Sequence, residues 1–462
     1  MMKRLFIGLL ILLAAECFSE GLQLPTVFSD HMVLQRDQSV PVWGSGTPGE
    51  KITVEFAGQS KTAVVDSSNH WKIMLDPVPA SSEPRKLAVS GSGEAVSFSD
   101  VLVGDVWLCS GQSNMEWSMD RTENAQESID AADYPLIRLY DTPRRVAGEP
   151  AGRIDAAWTR CSSERVSTFS GVAYYFGRKL HQDLDVPVGL WLSAYGGTKI
   201  EAWTPPCGLK SVELLADTVN LPPLSGEDKE DRHIPTVLYN GMLHDNVPFA
   251  IRGAIWYQGE SNHTEGSLYV ERSRALINGW RELWGRDFPF YFVQIAPYQY
   301  KEEDARILPV FWEAQAEVAR TIPNTGMAVI SEYTTLDNIH PVNKEVPGER
   351  LALLAEAGTY GMDVEFSGPV FQGLEKSDGT LTVAFDFADG LTTRNGKMPN
   401  WFEIAGDDGA FYLAQAEIKG NCVVLHSPRV PHPQAVRFAW HKRAVPNLIN
   451  AAGLPAVSFR SQ

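Results

Sequence analysis

Asp105-Val-Trp-Leu-Cys-Ser-Gly-Gln-Ser-Asn-Met-Glu-Trp117 opens on an apolar run, Val106 to Cys109, and then breaks at Ser110-Gly111. The run has the composition of a buried strand. The break sets one hydroxyl, Ser113, just past the strand, and from Asn114 onward a helix can start. A strand-to-helix turn holds a small nucleophile at the carboxyl edge of a sheet. Backbone N–H groups of the helix start then point at whatever the nucleophile attacks. A serine in a Gly-x-Ser context is most often plain turn chemistry. The reading therefore depends on whether the chain also supplies a base and an oxyanion site.

Around this stretch, strands alternate with helices. Val186 to Ser193, Ile251 to Tyr257, Phe288 to Ile295 and Met327 to Ile330 read as strands. Val172, Tyr175, Phe176 and Leu180 recur at helical spacing, as do Tyr269, Leu276, Ile277, Trp280, Leu283 and Trp284; Phe311 to Ile322 is a further helical stretch. The alternation predicts βαβ units and a mostly parallel sheet covered on both faces, with function at the carboxyl ends of the strands. The expected fold class is α/β over residues 100–362. Residues 21–99 and 363–462 instead carry short β runs separated by turn clusters, such as Gly44-Ser-Gly-Thr-Pro-Gly49 and Asp407-Asp-Gly409. Each reads as a β-sandwich, and the second could pack on the first. Residues 211–231 lack periodicity and read as a surface insertion.

The 462 residues are too many for one ordinary core. A formal charge of −17 argues against nucleic-acid binding and against anionic membrane surfaces. Lys3 and Arg4 precede an apolar run from Leu5 to Ala15, so residues 1–20 read as a signal peptide. The expectation is a secreted or periplasmic protein without a membrane span; Cys17 offers lipid anchoring as an alternative, against which Glu16 speaks. Four cysteines remain beyond it, Cys109, Cys161, Cys207 and Cys422, and their spacing fixes no pairing.

Four loops follow predicted strands and should meet at one sheet edge. They carry Ser113; Ser193-Ala-Tyr-Gly-Gly-Thr198; Gln258-Gly-Glu-Ser-Asn262; and Asp337-Asn-Ile-His-Pro341. Acyl transfer needs these residue types. Ser113 is a weak nucleophile without a base; His340 can take its proton and return it to the leaving alcohol. Asp337 can curl back to the far ring nitrogen and stabilise the imidazolium. The N–H groups of Ser113 and Gly197 fit an oxyanion hole, with a side-chain amide from Gln258 or Asn262 as a third donor. Gln112 and Glu260 are candidates for substrate contact. His233, His244 and His263 form no metal-spacing cluster, and neither a Walker loop nor a dinucleotide fingerprint is present, so no metal or cofactor is expected.

Gly111-Gln-Ser-Asn-Met-Glu-Trp117, Trp256-Tyr-Gln-Gly-Glu-Ser-Asn262 and Asp337-Asn-Ile-His-Pro341 closely resemble the sialate O-acetylesterase family of SGNH-type hydrolases. Leu238-Tyr-Asn-Gly-Met242 and Met32-Val-Leu-Gln-Arg36 add to the resemblance, which runs from about Leu24 to the C-terminus. It implies a flavodoxin-like esterase domain combined with β-sandwich material. It also implies a Ser113, His340 and Asp337 triad and an oxyanion site at Gly197 with Asn262 or Gln258. The implied reaction is release of acetate from O-acetylated sialic acid or a sialoglycan. Gln112 stands where many SGNH enzymes carry Asp, and Glu260-Ser-Asn262 replaces the commoner Gly-x-Asn-Asp; both match the sialate and xylan acetylesterase branch. The competing expectations are an acetylxylan esterase, a non-catalytic glycan-binding protein, and a glycosidase using Glu260 with a second carboxylate.

Overall fold

The computed structural model describes residues 21–461, so the signal-peptide reading and Cys17 lie outside the described residues. Six parallel strands form the centre: β1 (Ala95–Gly111), β2 (Tyr134–Asp141), β3 (Val188–Ala194), β4 (Gly253–Tyr257), β5 (Phe290–Val293) and β6 (Thr325–Ala328). Their spatial order is β6-β5-β4-β1-β3-β2, with the short strand Thr159–Cys161 antiparallel on the β2 edge. Leaving out β2, this is the flavodoxin-like order, and the chain turns from one side of β1 to the other after β3. Ligand sites in open α/β sheets lie at such a switch point, beyond the carboxyl ends of the strands.

The strands are buried on both faces because helices cover both. Gly171–Leu184 and Glu345–Gly358 pack together on one face, Leu268–Trp284 and Ile307–Thr321 on the other. Near-continuous burial from Val101 to Gly111 is what a parallel core strand requires. The helix Glu345–Gly358 and strand β2 are additions to the sequence reading. Pro347 and Gly348 disguise the helix. The proline lies in the first turn, where its missing N–H is harmless. A Cβ on Gly348 would come within 2.8 Å of the Val172 carbonyl on the facing helix, so glycine permits the close crossing.

Strand β1 is 17 residues long and crosses the expected boundary at 99/100 without a break. Its first half pairs antiparallel with Ser81–Ser90 and its second half joins the parallel sheet. The N-terminal β unit and the α/β unit therefore share a strand, and their apolar cores merge. The C-terminal unit has its own core, built by two four-stranded antiparallel sheets. It docks on the α/β unit: Tyr298 and Lys442 bond through their backbones at 3.2 Å, and Arg460 pairs with Glu313 at 2.9 Å. The cavity at this junction, about 700 Å³, contains neither Ser113 nor His340. All four described cysteines are free thiols. Among the described residues no helix is long and apolar enough to cross a membrane.

The Met32-Val-Leu-Gln-Arg36 motif explains itself here. Asp105, fully buried at the start of the parallel half of β1, accepts from Gln35 Nε2 at 2.8 Å and Arg36 Nη2 at 2.9 Å. Arg252 Nε and the Tyr360 hydroxyl also donate to it, each at 2.9 Å. Burial alone would raise this carboxyl; Arg36 and Arg252 hold it below its ordinary pKa. Asp105→Asn leaves two guanidinium groups around a neutral amide. It is expected to destabilise the fold by about 3–5 kcal/mol, the usual result of breaking a buried ion pair from one side. A urea midpoint unchanged from wild type would contradict that.

Candidate active site

Ser113 is the first residue of the short helix Ser113–Glu116, directly after β1. Gly111 makes the turn possible. Its φ is +140°, and a Cβ there would stand 2.2 Å from the Tyr257 carbonyl of the neighbouring strand. The Gln112 N–H donates to that carbonyl at 3.0 Å, which fixes the serine at the sheet edge.

His340 arrives from a loop beyond β6, 227 residues away in sequence, and its Nε2 lies 2.8 Å from Ser113 Oγ. Its ring stacks on Trp117, with centroids 4.9 Å apart and planes at 26°. Asn114 Nδ2 donates to the Ile339 carbonyl at 3.1 Å, tying the histidine loop to the Ser113 helix. Burial, followed by the positive charges of Lys344 and Arg121, brings the imidazole pKa down to about 4. The ring is therefore neutral, and able to accept a proton, throughout the near-neutral range.

Asp337 is not brought to His340. The loop is set by Asn338, whose Oδ1 accepts the His340 N–H at 2.9 Å in an Asx turn. This leaves Asp337 exposed, and among the described residues it forms neither an ion pair nor a hydrogen bond with His340. Position Nδ1 of the imidazole likewise has no partner among the described residues.

The other expected site residues divide clearly. The backbone N–H groups of Ser113 and Gly197 donate to no acceptor among the described residues, and Gly197 has a φ of +71° that suits glycine. A Cβ on Gly196 would sit 3.2 Å from Ser113 Cβ, so this loop lies against Ser113. The Gly196 N–H is taken by Glu116 Oε2 at 2.9 Å. Gln258 spends its amide hydrogens on the Thr198 carbonyl at 3.0 Å and Asn262 Oδ1 at 2.7 Å. Asn262, fully buried, donates to Glu201 Oε2 at 3.0 Å and accepts from the Ile200 N–H at 3.1 Å. Both side chains brace the Thr198–Glu201 segment. Gln112 is buried, and its Oε1 accepts from the Ser261 N–H at 3.4 Å.

Glu260 does not line the cleft; it is buried beneath it, with Oε1 accepting from Asn114 Nδ2 at 2.5 Å. On the other side of Asn114, Oδ1 accepts from Lys344 Nζ at 2.6 Å. Burial raises the Glu260 pKa and brings that of Lys344 down to about 7, the latter opposed by Glu260 itself. This network clamps three of the four loops together, and Lys344 was invisible in the sequence because nothing local marks it. His263 stacks on Tyr300 at 4.0 Å and bonds Glu303 at 2.8 Å, His244 packs against Tyr239, and His233 Nδ1 is buried without a hydrogen-bond partner among the described residues. Among the described residues no His, Cys, Asp and Glu cluster could hold a metal ion.

Ser113 and His340 open into a cleft of about 570 Å³ lined also by Trp117, Arg121, Thr142 and Arg144. A serine bonded to a neutral histidine at the switch point of a flavodoxin-like sheet defines a serine-dependent ester hydrolase of SGNH type. The family model described as carbohydrate esterase, sialic acid-specific acetylesterase, matches residues 103–345, and the chain belongs to that family. It is 30% identical to the mouse sialate O-acetylesterase, over 79% of each chain. With the human sialate O-acetylesterase it shares 32% identity, over 79% of this chain and 76% of that one. The crystal structure of a carbohydrate acetylesterase from Xanthomonas citri superposes with a TM-score of 0.88 at 34% identity, covering 96% of this chain and 99% of that one.

Proposed function

We propose that the protein hydrolyses O-acetyl esters of sialic acids and releases acetate through an acetyl-serine intermediate. The observation that carries this reading is the 2.8 Å contact between Ser113 Oγ and His340 Nε2 at the floor of the cleft. His340 takes the Ser113 proton as Oγ attacks the acetyl carbonyl. The N–H groups of Ser113 and Gly197 receive the oxyanion, and His340 returns the proton to the leaving sugar hydroxyl. Water repeats the sequence to free acetate.

Asp337 is the third member in this reading. Its carboxylate is unpartnered, it lies three residues before His340 on the same loop, and catalytic hydrogen bonds often tighten only when substrate is bound. Gln112 stands next to the nucleophile as a substrate contact. The N-terminal leader supports export, to the periplasm or outside the cell.

Sialate is favoured over xylan by the mammalian relatives, whose name is sialate O-acetylesterase. Acetate release from O-acetylated sialoglycan and from acetylated xylan tests the choice. Faster release from the sialoglycan is expected; release from xylan alone would reverse the assignment.

A further inference from the structure

Two arginines line the cleft, and they differ in one respect. Arg144 is paired with the Glu116 carboxylate. Arg121 has no carboxylate partner among the described residues, and its side chain makes no hydrogen bond there. It is nevertheless held in place: its guanidinium carbon lies 3.6 Å from the centroid of the Trp117 ring, the same ring on which His340 stacks. The guanidinium and the catalytic imidazole thus share one indole as their support. The same cleft is lined by Asp141, Thr142 and Asp155, whose side-chain oxygens can bind hydroxyls. The cleft is therefore lined by one exposed cation without a carboxylate partner, stacked on Trp117, and by several oxygen acceptors.

We propose that Arg121 receives the carboxylate of an acidic sugar whose acetyl ester lies at Ser113, and so makes the site selective for sialate over neutral glycans. This rests on the acetylesterase reading above and adds the feature of the substrate that the cleft reads. A guanidinium stacked on an aromatic ring is pre-oriented, which lowers the ordering cost of a two-pronged contact with a carboxylate. The sugar hydroxyls then face Asp141, Thr142 and Asp155.

The test compares acetate release from 9-O-acetyl-N-acetylneuraminate with release from its neutral carboxamide analogue. Wild type is expected to prefer the acid by at least about tenfold in kcat/KM, the order of one charge-assisted contact. Arg121→Gln should lose that preference, and Arg121→Lys should keep part of it, since lysine retains the charge without the planar fork. Each variant's preference is the ratio of its own two kcat/KM values, in which an effect of Arg121 on His340 cancels, and its unfolding midpoint shows that the fold is intact. An unchanged preference in Arg121→Gln, or none in wild type, overturns the assignment to Arg121 while acetate release leaves the esterase reading standing. Acetate release confined to acetylated glucuronoxylan, and lowered by Arg121→Gln, would keep Arg121 as the carboxylate reader but move the substrate to a uronate. Release confined to neutral acetylxylan would sink both.

Discussion

Ser113→Ala is expected to remove acetate release almost entirely, with kcat reduced by about 10⁴–10⁶-fold, as when the nucleophile of a serine hydrolase is deleted. The size of the loss follows from what remains. Without Oγ no acyl-enzyme forms, and His340 can only assist direct attack by water at a carbonyl held for another nucleophile. The oxyanion donors of the proposed mechanism survive, because they are the backbone N–H groups of residues 113 and 197. The fold should survive too: the side-chain bond that Ser113 makes is the one to His340, and Gly111, not Ser113, sets the turn. The unfolding midpoint is expected within about 1 kcal/mol of wild type. Turnover of 4-nitrophenyl acetate above a hundredth of the wild-type rate, with the fold intact, would remove Ser113 from the mechanism.

Those features that obey local rules could be read directly. The run Val106 to Cys109 is buried, the break at Gly111 is a turn that only glycine tolerates, and Leu268–Trp284 is a helix where the apolar spacing puts one. The meeting of Ser113 with His340 was also legible, because parallel strands send their following loops to one edge. What escaped depends on tertiary partners. Whether Asp337 or Asn338 turns toward the loop backbone is settled by one Asx hydrogen bond. Gln258 and Asn262 have the chemistry of oxyanion donors, and their partners here are tertiary: Gln258 gives its amide hydrogens to Thr198 and Asn262, and Asn262 gives one of its two to Glu201. Glu260 looked like a cleft carboxylate in a polar loop, but the Asn114–Lys344 pair draws it under the site. The boundary at 99/100 was marked by a change of composition, whereas the backbone runs through it as one strand.

Asp337→Asn is expected to lower kcat by about 10²–10⁴-fold, and the pH dependence should show why. In the free protein the imidazole is depressed to about 4 by burial and by Lys344 and Arg121, without a carboxylate beside it. Its neutral form, the one that accepts the serine proton, is present above that pH and is lost as pH falls through it. The acid limb of kcat/KM reports the free enzyme, so it should lie near pH 4 in wild type and variant alike. The limb of kcat reports the complex. If Asp337 turns onto Nδ1 when substrate is bound, its negative charge raises the imidazole pKa, and the wild-type kcat limb moves above that of kcat/KM. In Asp337→Asn the two limbs should coincide. The shift matters for rate, since a base with pKa near 4 accepts the serine proton weakly at neutral pH, and the imidazolium formed in the transition state would face two positive charges with none opposing. If Asp337→Asn keeps more than a tenth of wild-type kcat and leaves its acid limb in place, Ser113 and His340 act as a pair without a third member. The exposed position of Asp337 would then be its working position.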